Sequence, residues 1–251
     1  MEFISGLVSV SFRGLSPESI IEITKSSHLR AIEWGGDIHV PAGNIELAKS
    51  VRSKTEAAGL CVCEYGSYYR LGKSDRSLKE HVIASARALG ADKVRLWAFD
   101  KNRSSTTDEE YRSIVQDAQE ICDMGKDLIF CLECHNNTLT EDHRDTLEFL
   151  KDVGRDNLRM FWQPNQFRDH EYNLDSLSKL LPYVHSVHVF SWEKDKKLPL
   201  EAHEDRWLEY LSILKSSHRD KIYLMLEFMH DGSKDSLKHT ASVLNGWIER
   251  L

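Results

Sequence analysis

No run of apolar residues in this 251-residue chain approaches the roughly 20 needed to cross a bilayer. The first fifteen residues also lack a basic flank followed by a long apolar stretch, so neither a membrane span nor a targeting segment is expected. Positive charge is not in excess either: 33 Lys and Arg against 40 Asp and Glu leave a formal charge of −7. Without a basic face to neutralise a phosphate backbone, generic binding to DNA or RNA is not expected. Cysteine is scarce and odd in number, five in all. Cys61, Cys63, Cys122, Cys131 and Cys134 lie mostly in apolar strand-like runs, unlike the framework of a small secreted scaffold, and suit reduced thiols in a cytoplasm. No Gly-x-Gly-x-x-Gly turn follows the first apolar run, which removes the usual dinucleotide reading of an alternating chain. Repeats, linkers and low-complexity tracts are missing too, so residues 1–251 are expected to form one soluble domain.

What is present is a core-forming composition, 41% hydrophobic with 29% charged residues, at a length that matches the usual (β/α)8 barrel. Short β-branched or aromatic runs alternate with amphipathic stretches of helical period, the pattern of parallel strands joined by crossover helices. Eight units are countable, with strands expected at Leu7–Phe12, Ala31–Trp34, Cys61–Tyr65, Lys93–Ala98, Leu128–Glu133, Leu158–Gln163, Val184–Phe190 and Ile222–Phe228. Punctuation between them agrees. Ser16-Pro17 and Thr107 read as helix starts, Gly59 and Gly90 as left-handed ends, and Pro182 as a stop. The expected fold is therefore a single (β/α)8 TIM barrel, whose site lies at the C-terminal ends of its strands.

The last four expected strands each finish in a ligand-type side chain: Glu133, Gln163, His188 and Glu227. A lone Glu at a strand end is more often a surface or ion-paired residue, and a lone His in an apolar strand is more often a satisfied core group. Four at equivalent places on four successive strands point instead to one shared centre. Two carboxylates, an amide and an imidazole suit a divalent metal, with Mn²⁺ expected first and Mg²⁺, Co²⁺ or Zn²⁺ as alternatives. Trp34, Tyr68, Trp97 and His135 stand at or just past strand ends, where aromatic faces stack on sugar rings; barrel packing is the alternative for each. Asn165 and Gln166 complete the expected substrate contacts. Arg95 is expected to pair inside the barrel with an acid such as Glu64 rather than to hold a substrate anion. Neither Cys61-x-Cys63, which lacks a second pair, nor Cys134-His135, whose neighbours face opposite sides of a strand, reads as a zinc or nucleophile motif.

The whole chain resembles the xylose isomerase-like barrel superfamily, the sugar isomerase and epimerase group that also includes endonuclease IV-type repair enzymes. The resemblance rests on Ala31-Ile-Glu-Trp-Gly-Gly-Asp-Ile-His-Val-Pro, on Gly59-Leu entering the third strand with Tyr68-Tyr-Arg-Leu-Gly after it, and on Leu132-Glu, His188-Val and Leu226-Glu. It implies metal-assisted proton transfer beside a carbonyl through an enediolate, with Glu133 and Glu227 as the catalytic pair: an isomerase or epimerase of a sugar, keto-sugar or inosose. A lyase or dehydratase acting on a keto-sugar or 3-keto-glycoside would use the same apparatus. A non-catalytic sugar-binding barrel is the other alternative, and homodimers or homotetramers are common among such relatives. Where that superfamily ordinarily has an Asp followed three residues later by a His, this chain has Gln163 and Gln166. Losing one negative charge is expected to weaken metal binding. Phosphodiester cleavage of the endonuclease kind, with its three metals and many more His and Asp ligands, is not expected.

Overall fold

In a computed structural model describing residues 1–251, eight parallel strands close into a barrel surrounded by eight helices. The barrel strands are β1 (Glu2–Val8), β2 (Ala31–Gly35), β3 (Cys61–Leu71), β4 (Lys93–Ala98), β5 (Ile129–Glu133), β6 (Leu158–Trp162), β7 (Val184–Val189) and β10 (Lys221–Leu226). β8 (Ser191–Glu193) and β9 (Lys196–Leu198) form a small antiparallel hairpin just past β7. β1 pairs with both β2 and β10, so the cylinder has no free edge. The outer helices are α1 (Pro17–Ser26), α2 (Ile45–Ala57), α3 (Leu78–Leu89), α4 (Asp108–Met124), α5 (His143–Val153), α6 (His170–Leu180), α7 (Glu204–Lys215) and α8 (Leu237–Glu249). No helix is long and apolar enough to cross a membrane.

The helix starts obey local chemistry. The Ser16 hydroxyl accepts from the Ser19 amide ahead of Pro17, and Thr107 and Glu110 form a reciprocal capping box. Gly90 ends α3 in the left-handed conformation at φ 77°. Alternation along each strand then splits the apolar residues in two. Leu7, Ile32, Trp34, Leu96, Leu132 and Trp162 point outward into the large core beneath the helices, while Ile4, Cys63, Cys131, Phe161 and Met225 fill the lumen.

Two strands differ from the sequence expectation by more than two residues at an end; the others agree within one or two. β1 is Glu2–Val8 rather than Leu7–Phe12, because Ser9–Phe12 winds into a 3₁₀ turn. The alternation of Leu-Val-Ser-Val-Ser-Phe imitates a strand, but the Ser9 hydroxyl is used at the rim, accepting from the Gly35 amide at 2.9 Å. β3 runs on to Leu71 instead of ending at Tyr65, with its register against β4 broken between Gly66 and Arg70. Within that bulge Tyr68 adopts φ 58°, and its ring lines the mouth of the barrel.

Candidate metal centre and substrate cavity

At the C-terminal end of the barrel the strands deliver one polar side chain after another: Glu33 on β2, Arg95 on β4, Glu133 closing β5, Gln163 just past β6, His188 on β7 and Glu227 just past β10. All six are buried. His188 stands at the middle. Its Nε2 lies 3.0 Å from Glu33 Oε2, so a proton on that nitrogen is donated to the carboxylate. Its Nδ1 faces Gln163 Oε1 at 2.9 Å, Glu227 Oε2 at 3.5 Å and Glu133 Oε1 at 3.9 Å. Four electron-pair donors thus converge, and they repel one another unless a positive charge lies among them.

Glu33 and Arg95 fix this arrangement from behind. The Arg95 Nε donates to Glu33 Oε1 at 2.8 Å, while its Nη1 donates to Glu133 Oε2. One guanidinium therefore bridges the carboxylate that orients His188 and a carboxylate of the donor set, leaving Glu133 Oε1 turned towards the imidazole. Gly66 makes room for it. A Cβ there would stand 2.6 Å from Glu33 Oε1 and 2.9 Å from Arg95 Nη2, so any side chain would displace the bridge. The expectation that Arg95 pairs with Glu64 is corrected: Glu64 lies deeper in the lumen and accepts from the Ser186 hydroxyl at 2.6 Å.

These contacts set the protonation of the centre. Burial works against the charge on Glu33, yet Arg95 and His188 outweigh it and hold the carboxyl down at about 2. Burial likewise disfavours a charged His188, but Glu227, Glu33 and Glu133 together lift the imidazole to about 9. Burial is the main force raising Glu227 to about 7, opposed by His188 and reinforced by Glu133. Burial also raises Glu64, to about 8. Where no other cation is present, a proton on His188 Nδ1 is thus the charge that reconciles the surrounding oxygens.

The donor set fits a divalent ion in chemistry. A His whose far nitrogen is anchored on a carboxylate, with carboxylate and amide oxygens around the near one, is the usual construction of such a centre. The set is slightly open, the His188–Glu133 separation being 3.9 Å, and no three His, Cys, Asp or Glu side chains by themselves form a closed metal cluster. The Gln163 amide is the remaining donor.

Above the donors lies a cavity of about 240 Å³. Tyr68, Trp97 and His135 form one wall, with Tyr68 and Trp97 stacked 6.4 Å apart and His135 4.4 Å from Trp97. Phe190, Trp192 and Phe228 form another, Trp192 lying 4.9 Å from Phe190 and 6.0 Å from Phe228. Gln166 reaches the same space, and Glu133, Gln163 and Glu227 line it. Arg13 closes the rim, donating to Tyr68 Oη at 2.6 Å and pairing with Asp37.

Two expected substrate contacts do not line this central cavity. Trp34 is fully buried in the outer core, edge-on to His39 at 5.9 Å, because strand alternation turns it away from the lumen that its neighbour Glu33 enters. Asn165 does not line this cavity either: its amide nitrogen donates to Asn136 and its backbone N–H to Asn173, which shapes the loop after β6. Sequence reasoning passed over Glu33 and the wall of Phe190, Trp192 and Phe228. Glu33 had a readable signal, being a carboxylate near the end of an apolar strand like Glu133. Of the aromatic wall, Phe190 and Phe228 stand where expected strands end, and only Trp192 depends on the hairpin, which no local pattern announces.

Neither a protein-family model nor a curated protein sequence matches the chain. Solved structures do. The probable 3-DHS dehydratase AsbF involved in petrobactin synthesis, from Bacillus anthracis, is 21% identical over 98% of this chain and 99% of its own, with a TM-score of 0.79. The chain has the xylose isomerase-like barrel fold. A xylose isomerase domain protein from Planctomyces limnophilus is 18% identical over 98% of this chain and 97% of its own, with a TM-score of 0.77. The IOLI protein with a bound zinc atom covers 100% of this barrel and 99% of its own chain at 12% identity and a TM-score of 0.73.

Proposed function

We propose that this barrel is a divalent-metal-dependent enzyme of sugar chemistry that moves a proton at a carbon beside a carbonyl, isomerising or epimerising a sugar, keto-sugar or inosose. The observation that carries this reading is the convergence of Glu133, Gln163 and Glu227 oxygens on His188 Nδ1, while Glu33 takes the opposite nitrogen. Glu133, Gln163, His188 and Glu227 would hold the ion, Mn²⁺ first among the expected metals. Bound there, it would polarise the carbonyl and hydroxyl oxygens of a substrate and so acidify the C–H between them.

The protein's own groups supply the rest. Glu227, buried beside His188 and lining the cavity, would take and return the proton. Glu133 faces the same nitrogen of His188, its other oxygen secured by Arg95, and would offer a second proton-handling oxygen to the same cavity. Transfer between adjacent carbons would be isomerisation; removal on one face and return on the other would be epimerisation. The aromatic walls hold the apolar faces of a ring and displace water from it. At about 240 Å³ the cavity is smaller than the ~300–1,000 Å³ typical of drug-sized ligand sites, which suits a single sugar or polyol ring.

Elimination is the second reading. The same proton removal, followed by loss of a hydroxyl from the next carbon, makes a dehydratase, and one structure of this fold is described as the probable 3-DHS dehydratase AsbF. The IOLI structure with its zinc atom supports the metal side of the proposal. A deuterium wash-in screen with Mn²⁺ over ketoses, inososes and 3-keto-glycosides tests both readings. Solvent label at one carbon, abolished by Glu227→Gln, is the expected result. No exchange with any of these compounds while metal is bound would overturn proton transfer.

A further inference from the structure

The hairpin of β8 and β9 does more than complete the aromatic wall. Its turn is held to the loop after β6, with the Lys194 amide donating to Gln166 O at 3.1 Å. Between hairpin, loop and α7 lies a second cavity of about 520 Å³, which shares Gln166, Phe190 and Trp192 with the central one. The two spaces are therefore neighbours across the same three side chains.

Their charge differs. The central cavity sets two carboxylates, Glu133 and Glu227, against two ion-paired cations, Arg13 and Arg95, whereas the second is lined by four permanent cations, Arg168, Lys194, Lys196 and Arg206, against Asp169 and Glu193. Both of those acids are engaged: Asp169 caps α6, and Glu193 lies 3.3 Å from His203. None of the four cations has a carboxylate within ion-pairing distance, although the chain as a whole carries a charge of −7. Lys197, which lines neither cavity, stands over the Trp192 and Phe228 rings at 5.2 Å and 4.6 Å. Elsewhere some surface cations of this acidic chain are paired, as Arg87 is with Asp127 and Arg155 with Asp123.

We propose that the cavity beside the hairpin is an oxyanion subsite, which takes a phosphate or carboxylate carried by the same substrate whose ring occupies the central cavity. The proposal rests on the reading of the central cavity as a sugar site. It makes the substrate an anionic sugar, either a sugar phosphate or a sugar acid. The shared wall of Gln166 and Trp192 sets the reach from the reacting carbon to the charged group. Two exposed lysines and two exposed arginines suit this role, since they attract the anion from solution and release it again.

Calorimetric binding to the full chain loaded with Mn²⁺ tests this, using a neutral hexose, the corresponding hexose 6-phosphate, the hexuronate and inorganic phosphate. One or both anionic sugars are expected to bind at least about tenfold more tightly than the neutral hexose at low salt, the sum of a few exposed charge contacts. Whichever binds more tightly identifies the phosphate or the carboxylate as the natural charge. That advantage should vanish in a Lys194→Ala, Lys196→Ala, Arg206→Ala variant, whose altered side chains are exposed. Equal binding of neutral and anionic sugars, or an advantage that survives the triple substitution, would overturn the subsite. So would inorganic phosphate binding as well as the hexose phosphate, since the ring would then add nothing. The same titration on Glu227→Gln without Mn²⁺, since that variant is expected to lose the ion, separates the two proposals: a retained preference for the anionic sugar supports the subsite even if no sugar ever exchanges its proton with solvent.

Discussion

The two halves of the barrel treat charge in opposite ways. On β2 to β4, charges are consumed by one another or anchored in the wall: Arg95 is spent on Glu33 and Glu133, and Lys93 is bonded to Asp92 and the Cys63 carbonyl. On β5 to β10, oxygens and one imidazole are left facing inward on His188 Nδ1. The first half is a brace and the second a grip. A carboxylate such as Glu33 can sit fully buried because a guanidinium and an imidazole flank it, and that same neutralisation lets it aim His188.

The largest expected effect comes from removing the brace. Arg95→Met leaves Glu33 and Glu133 buried without their cation, and urea unfolding should show a loss of about 3–5 kcal/mol. A loss below ~1 kcal/mol would mean the bridge does not support the barrel. Next is pH. His188 is raised from 6.5 to about 9, so its contribution to metal-free stability is complete below pH 6.5 and disappears as pH climbs towards 9. Glu227 acts with the same sign, since an acid raised from 4.5 to about 7 favours the folded state less as pH rises through that window. Thermal unfolding in chelator should therefore weaken from neutral to alkaline pH, on the order of 1–3 kcal/mol. Added divalent metal should restore that stability most strongly at the alkaline end, where it no longer competes with the Nδ1 proton. Glu33→Gln keeps the shape but gives up the carboxylate behind His188, and metal affinity should fall about 10–100-fold without unfolding. The smallest change adjusts the grip. Gln163→Asp restores a negative ligand and should tighten metal binding by about tenfold, measured by competition with a chelating dye.

How much of this was legible follows the range of each signal. The barrel could be read because its evidence is local: Lys93–Ala98 is one strand in sequence and in structure, and Ser16, Thr107 and Gly90 punctuate the helices where expected. The four donors could be read because strand ends in a closed barrel meet whatever the loops do. Lost to view were features decided by contacts between distant segments. Arg95 chooses Glu33 and Glu133 over Glu64 because β3 places Glu64 lower in the lumen, within reach of Ser186 on β7. Ser9–Phe12 leaves the strand because its hydroxyls serve partners far away in sequence: the Ser9 hydroxyl serves Gly35, and the Ser11 hydroxyl accepts from the Phe228 amide at 2.9 Å. Trp34 is instructive in the other direction. Its place at a strand end suggested a sugar platform, but once its neighbour Glu33 faces the lumen, period-two alternation sends the indole into the outer core.

The central claim is that the second half of the barrel grips a divalent cation at His188. Titration of Mn²⁺ into chelator-treated protein, followed by electron paramagnetic resonance of the free ion, tests it most directly. One ion bound per chain, with affinity lost in both His188→Ala and Glu227→Gln, is the predicted result. Binding that is absent in the unaltered protein, or that persists unchanged in both variants, would contradict it.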